Sequence, residues 1–255
     1  MKRKARVARC YTEQTLESGT SVILDKRSHH HTSNVLRARV GQELCLFNGN
    51  GNNYRGHIAE TGKQTRVTLN SSEPSEAESP LHITLIQAIA RGDKMDLIIQ
   101  KATELGVNAI FPVYSAHAIT KLDATRAQRK LDHWLKVSIS ACEQCGRCCL
   151  PTIHAATGLN DALQAHSQTI TGQRKWILSP LASASEHTNL QVNDAVVLIG
   201  PEAGFENQEV EQAEQHGFEP LKLGQRILRT ETAAPAVLAI LQAKYGDMQN
   251  AFLTS

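Results

Sequence analysis

LKLGQRILRTETAAPAVLAIL, residues Leu221–Leu241, runs from a short strand-like segment into an apolar helix. The strand pattern ends at Gly224. Arg226, Arg229, Thr230, Glu231 and Thr232 then crowd into seven residues before the helix becomes wholly apolar. A helix that is apolar on all sides is a buried one. Charges packed beside it are costly unless they pair with each other or meet a ligand. The stretch is therefore either a structural Arg–Glu cap on a buried helix or a binding loop.

Upstream, LIGPEAGFENQEVEQA, Leu198–Ala213, repeats the design: buried strand, Gly200-Pro201, Glu202, a glycine-containing turn, then a helix. It lacks the repeated glycines of a dinucleotide loop and the Lys-Ser/Thr pair of a Walker A loop. An ordinary βα loop and a binding loop both fit it. The strand–helix alternation extends through this half of the chain. LHITLIQA, AIFPVYS, KWILSP, AVVLIGP and PLKLG read as strands. Helices are expected over the GDKMDLIIQKATELG segment, from about Ala124 to Gln144, from about Asn207 to His216 and from about Thr232 to Tyr245. Such alternation predicts an α/β domain with a parallel sheet covered on both faces. Ligands in these sheets bind beyond the carboxyl ends of strands, here LSP, LIGPEAGF and LGQRILRTETA.

SSEPSEAESP, Ser71–Pro80, has no apolar residue larger than alanine and reads as a linker. Before it, VILD, ELCLF, YRGHIAE and TRVTLN are short β-branched or alternating runs. NGNGNN, Asn48–Asn53, makes a hairpin turn between two of them. With one helix at about His31–Arg39, this half predicts a small β-barrel. The expected domains are therefore 1–72, a linker at 73–80, and 81–255.

The whole chain of 255 residues carries a net charge of only +2, but residues 1–70 hold 12 Lys+Arg against 5 Asp+Glu. That balance of +7 leaves −5 on the remainder. A basic first quarter suits docking to a polyanion, and a solvated basic face is the plain alternative. No apolar run approaches the ~20 residues of a membrane span. The basic start MKRKARVARCYTEQ lacks a signal-peptide apolar region, so reduced thiols in a cytoplasm are expected.

ISACEQCGRCCLP, Ile139–Pro151, puts four cysteines into eight residues. A structural zinc site would want two separated pairs, and the spacing also departs from ferredoxin ligation. Cys142, Cys145 and Cys149 share a helical face and can pack as small hydrophobes. No metal is expected.

GPEAGF together with LGxRILRTETA resembles the SPOUT class of S-adenosylmethionine-dependent RNA methyltransferases. RGDKMDLIIQKATELGV, ACEQCGR and HTSNVLRARVGQELCLFNGNG narrow the resemblance to the RsmE family and extend it over nearly the whole chain. It implies a C-terminal SPOUT α/β trefoil-knot methyltransferase domain and a smaller N-terminal PUA-like β-barrel that binds RNA. It also implies a homodimer and methylation of N3 of a specific uridine in 16S rRNA, within the small ribosomal subunit. The cofactor would be S-adenosylmethionine. Its loops would be Leu178-Ser179-Pro180, Ile199-Gly200-Pro201-Glu202, and Leu223-Gly224 with Arg226-Ile227-Leu228.

On the RNA side the resemblance points to Arg6, Arg9, His31 and Arg37, and to the EQ-x-x-R motif at Glu143, Gln144 and Arg147. With few aromatics available, phosphate contacts should dominate. Ala203 departs from the family's GPEGGF. If that position needs positive φ, alanine costs about 1 kcal/mol.

The chemistry adds two roles. Uracil N3 carries a proton that must leave, which gives Glu202 as the expected general base and Arg229 as the cation for charge on O2 or O4. A ribose 2′-O-methyltransferase is the alternative within the class, and the EQ-x-x-R stretch and PUA-like domain argue against it. A non-catalytic rRNA-binding assembly factor is the other alternative, opposed by the retained RILRTETA and GPE motifs.

Overall fold

The computed structural model describes residues 7–117, 123–168, 170–180 and 192–249. The chain divides into two compact units. The first is residues 1–78 with 139–150; the second is residues 79–138 with 151–255. A single cut in the Ser/Glu/Pro run therefore does not describe the division, because the cysteine-rich stretch joins the first unit.

The second unit is built on a parallel sheet. Its strands are β6 (His82–Ala88), β7 (Ala109–Tyr114), β8 (Thr152–Ile153), β9 (Thr157–Gly158), β10 (Gln173–Leu178), β11 (Asp194–Ile199) and β12 (Glu219–Leu221). The order is β12-β10-β11-β6-β7-β8, with β9 also on β7, and every ladder is parallel. Helices are α2 (Lys94–Glu104), α3 (Ala124–Cys145, of which residues 124–138 belong to this unit), α4 (Leu159–Ala165), α5 (Asn207–Gln215) and α6 (Thr230–Tyr245).

Period-two alternation supplies two cores from the same strands. Ile83, Leu85, Trp176, Ala195, Val197 and Ile199 pack with α2 and α6 residues such as Ile98, Val237 and Leu238. Ile86, Ala88, Ile177, Val196 and Leu198 pack on the other face with Leu159, Leu163 and Ala213 of α4 and α5. Strands this apolar on both faces must be central, which explains why LHITLIQA and AVVLIGP are legible as sequence. β8, β9 and α4 are not among the expected elements. They are two, two and seven residues long, too short for a periodic signal.

In the first unit, β1 (Ala8–Tyr11), β2 (Ser21–Ile23), β3 (Glu43–Phe47), β4 (Asn52–Glu60) and β5 (Arg66–Pro74) form one sheet in the order β1-β3-β4-β5-β2. β1 runs parallel to β3 and the other neighbours are antiparallel. The ladders leave β1 and β2 at opposite ends of the order. β5 also runs into the expected linker, because Ser71–Pro74 pair with Asn52–Arg55 across the hairpin.

The helical segment differs from expectation as well. α1 spans Lys26–His30 and passes into a π-helical turn, His31–Val35. Asp25 fixes the start by accepting the Ser28 amide at 2.9 Å. Arg37 ends the segment at φ 49°, a left-handed conformation that stops a helix.

The four-cysteine stretch packs on β3. Leu44 and Leu46 face the unit's main core, while Phe47 turns the other way onto Cys142 and Cys148. Glu78 ties the stretch down. Its Oε1 accepts the backbone N–H groups of Cys148 and Cys149, each at 2.9 Å, and its Oε2 accepts Arg147 Nε at 3.0 Å.

Candidate cofactor and RNA site

Strand order places the chemistry. β10, β11 and β12 are neighbours and parallel, so the loops after Leu178, Ile199 and Leu221 emerge at one carboxyl edge. The Ser179 N–H donates to Leu221 O at 3.0 Å, joining the first loop to the third. Thr230 joins the third to the second: its hydroxyl donates to Gly200 O at 2.8 Å. The same hydroxyl accepts Gln87 Nε2 at 3.0 Å, and Gln87 is fully buried at the end of β6. All three predicted loops thus converge, with β6 as a fourth element.

The loop surfaces suit a flat, mostly apolar ring with a charged tail. Leu178, Leu223 and Leu228 are half-buried, Ile199 and Pro201 are buried, and Ser179 is half-buried beside exposed Pro180. Gly224 and Arg226 are exposed, and Ile227 is 84 % exposed. Gly200 is tightly packed: a Cβ there would lie 3.2 Å from the Phe205 ring. These features fit S-adenosylmethionine, whose adenine needs backbone contacts and apolar walls.

Ala203 causes no strain. The turn takes its positive φ, 79°, at Gly204, and Ala203 is not in that region. Gly204 N–H closes the turn on Pro201 O at 2.9 Å. The departure from the family pattern falls where alanine is tolerated.

Glu202 is not the free carboxylate expected of a general base. Its Oε1 accepts Lys94 Nζ at 2.9 Å and the Arg91 N–H at 3.1 Å. Partial burial pushes this carboxyl up, but the hydrogen bonds from Lys94 and the backbone outweigh it and hold the group below its ordinary value. A carboxylate so stabilised is a weaker base in this arrangement, and Glu202 is held in an ion pair with Lys94. Lys94 also lies 3.7 Å from Glu231 Oε2. Nothing in RGDKMD assigns Lys94 a task by itself; its place past a strand's carboxyl end is the one local signal.

Arg229 stands at the N-cap of α6 with extended backbone, and Thr232 and Ala233 donate to its carbonyl, each at 2.8 Å. Its side chain is exposed, as is that of Arg226. Neither makes a hydrogen bond or ion pair among the described residues.

The expected RNA residues divide. Arg37 is exposed, and so is Arg39, which sequence reading passed over. Arg6 lies outside the described residues. Arg9 is half-buried and its guanidinium turns inward. It donates to Asn53 Oδ1, to Arg147 O at 3.0 Å and to Cys148 Sγ at 3.2 Å, and stacks over Phe47.

The EQ-x-x-R motif is likewise drawn inward. Arg147 is 3 % exposed and paired with Glu78. Glu143 accepts the Tyr11 N–H at 3.1 Å and lies near Arg27 and His31, at 3.4 and 3.7 Å. Gln144 alone is exposed. Both charges of the motif thus meet partners within the first unit: Glu143 a backbone N–H and two basic side chains, Arg147 the Glu78 carboxylate.

The cysteines behave as packing groups. Cys142 and Cys148 are fully buried, and the Cys142 thiol is pushed well up by its hydrogen bond with Cys145 and by burial. Burial pushes Cys10 up to about 12. Among the described residues no three His, Cys, Asp or Glu side chains cluster as metal ligands, and no helix is long and apolar enough to cross a membrane.

Comparison with known proteins agrees with this geometry. The RNA methyltransferase domain family matches residues 77–242, and the RNA methyltransferase PUA domain family matches residues 24–65. Ribosomal RNA small subunit methyltransferase E of Buchnera aphidicola from Schizaphis graminum is 35% identical over 247 residues, 96% of this chain and 99% of its own. Among solved structures, a Legionella pneumophila protein in complex with bound SAM superposes with a TM-score of 0.89 at 36% identity, covering 95% of this chain and 100% of that one. The Neisseria gonorrhoeae ribosomal RNA small subunit methyltransferase E bound to S-adenosyl methionine gives 0.86 at 36% identity, over 95% and 99%. Matched across both its domains and nearly its full length, this chain belongs to the ribosomal RNA small subunit methyltransferase E family.

Proposed function

We propose that this protein transfers the methyl group of S-adenosylmethionine to N3 of a specific uridine in 16S rRNA. It would act in the cytoplasm, as a homodimer, on RNA of the small ribosomal subunit. The observation that carries the reading is the convergence of three backbone-rich loops on one sheet edge, beside two exposed arginines.

The cofactor, when bound, supplies a methyl already activated by sulfonium. The residues of this chain then have two tasks. Leu178–Pro180, Ile199–Glu202 and Leu223–Leu228 hold and orient the cofactor, which lowers the barrier by alignment. Arg229 meets the negative charge that spreads to O2 and O4 as uracil loses its N3 proton. Glu202 holds Lys94 and the Arg91 backbone against the loop, and the proton leaves to solvent. The target uridine must be unpaired or flipped, since N3 lies on its pairing edge.

The experiment is nucleoside mass spectrometry of 16S rRNA after reaction with the purified protein and S-adenosylmethionine. 3-Methyluridine is the expected product. A 2′-O-methylnucleoside would replace this reading with the ribose alternative. No product together with no cofactor binding would favour the assembly factor. Glu202→Gln should slow the reaction by only about tenfold, below the ~10²–10⁴-fold of general-base loss. A larger loss, rescued at high pH, would return the base role to Glu202.

Charge reversal at Arg37 and Arg39 should weaken RNA binding and flatten its salt dependence, while cofactor affinity stays unchanged. Filter binding across a salt series checks this, and an unaltered slope would remove these arginines from the RNA face.

A further inference from the structure

Lys94 has two acidic neighbours. Glu202 Oε1 is 2.9 Å away and Glu231 Oε2 is 3.7 Å away. Two carboxylates and one ammonium leave one negative charge. A lone Lys94–Glu202 pair would have been enough to fasten the turn after β6 to the loop after β11.

The additional carboxylate is costly where it sits. The Glu231 side chain is 14 % exposed, and its Oε2 is shielded from solvent without a hydrogen-bond donor. Next to it in sequence, Thr230 bonds Gln87, whose own Oε1 is also buried and lacks a donor. Shielded acceptors without donors are destabilising by themselves. Glu231 therefore carries its charge in a largely dry setting beside the Gly200 loop, with the Lys94 ammonium 3.7 Å away.

We propose that Lys94, Glu202 and Glu231 form a charge-selective wall, whose one net negative charge makes the site prefer the cationic cofactor to the neutral-sulfur product. The inference rests on the methyl-transfer reading above. In that reaction the sulfonium S–CH3 bond breaks and an N3–CH3 bond forms. The sulfur keeps the bonding electron pair and becomes a thioether, and the proton displaced from N3 goes to solvent. The ligand therefore loses one positive charge on turnover. A wall with surplus negative charge holds the substrate form and loosens its grip on S-adenosylhomocysteine, which speeds exchange. Arg226 and Arg229 oppose this field in sign. They are solvent-exposed and screened, whereas Glu231 is largely buried, and buried charge acts at greater strength.

The test is calorimetric binding of S-adenosylmethionine and S-adenosylhomocysteine to wild type, Glu231→Gln and Lys94→Met. Glu231→Gln neutralises the wall and should reduce the preference for the sulfonium form by about tenfold. Lys94→Met leaves two negative charges and should increase the preference a few-fold. Glu231→Asp should keep it. An affinity ratio within twofold of wild type in Glu231→Gln, or a reduced ratio in Lys94→Met, overturns the proposal. If Glu231→Gln does not fold, the direction of change in Lys94→Met decides alone. Wild-type protein that binds neither ligand would overturn the cofactor reading itself, which separates the two failures.

Discussion

Arg229→Ala should lower the single-turnover methylation rate by about 10²–10³-fold, the loss typical of removing one positioned donor from a developing anion. The side chain makes no hydrogen bond or ion pair among the described residues, so its removal breaks no visible contact. The melting temperature should stay within a degree or two of wild type. Cofactor affinity should change only a few-fold, because the cofactor loops are apolar and backbone-rich. Raising the pH should restore only part of the rate: hydroxide helps to remove the N3 proton but leaves the anion without its cation. Quench-flow on substrate RNA across a pH series checks this. A rate within threefold of wild type at neutral pH would show that uracil charge is met elsewhere, and Arg226 would be next to examine.

Arg147→Met should destabilise the first unit by about 3 kcal/mol, the lower end for breaking a buried ion pair, because Glu78 is partly solvated. Glu78 would keep its two backbone donors from Cys148 and Cys149 and lose only the guanidinium. Arg147→Lys should recover little, since an ammonium cannot reproduce the Nε geometry. Urea denaturation checks both variants. Unchanged stability in Arg147→Met would mean that the pair contributes nothing, and would reopen an RNA role for the motif. Sequence reading took Glu143, Gln144 and Arg147 as RNA contacts because they are polar in a motif. Only Gln144 is presented to solvent. Polarity in a sequence does not distinguish a charge that meets solvent from one that meets Glu78, 69 residues away.

The sequence by itself determined the local elements of the second unit. LHITLIQA, AVVLIGP and KWILSP are apolar on both faces because each strand lies between two helical layers, and that leaves a direct trace in composition. It also located the three loops, since glycine, proline and clustered charge at strand ends are local features. Tertiary structure decided everything that depends on neighbours distant in the chain. Strand order brought the loops together and added Gln87 and Lys94 from β6 and the turn after it. It also set the Lys94 ammonium against Glu202, an ion pair that the local sequence does not announce. Pairing of β5 with β4 carried strand structure into a run that composition reads as linker. Arg9 and Arg147 are basic by sequence and inward-facing by fold. Residue type sets what a group can do; its long-range partners set whether the group remains free to do it.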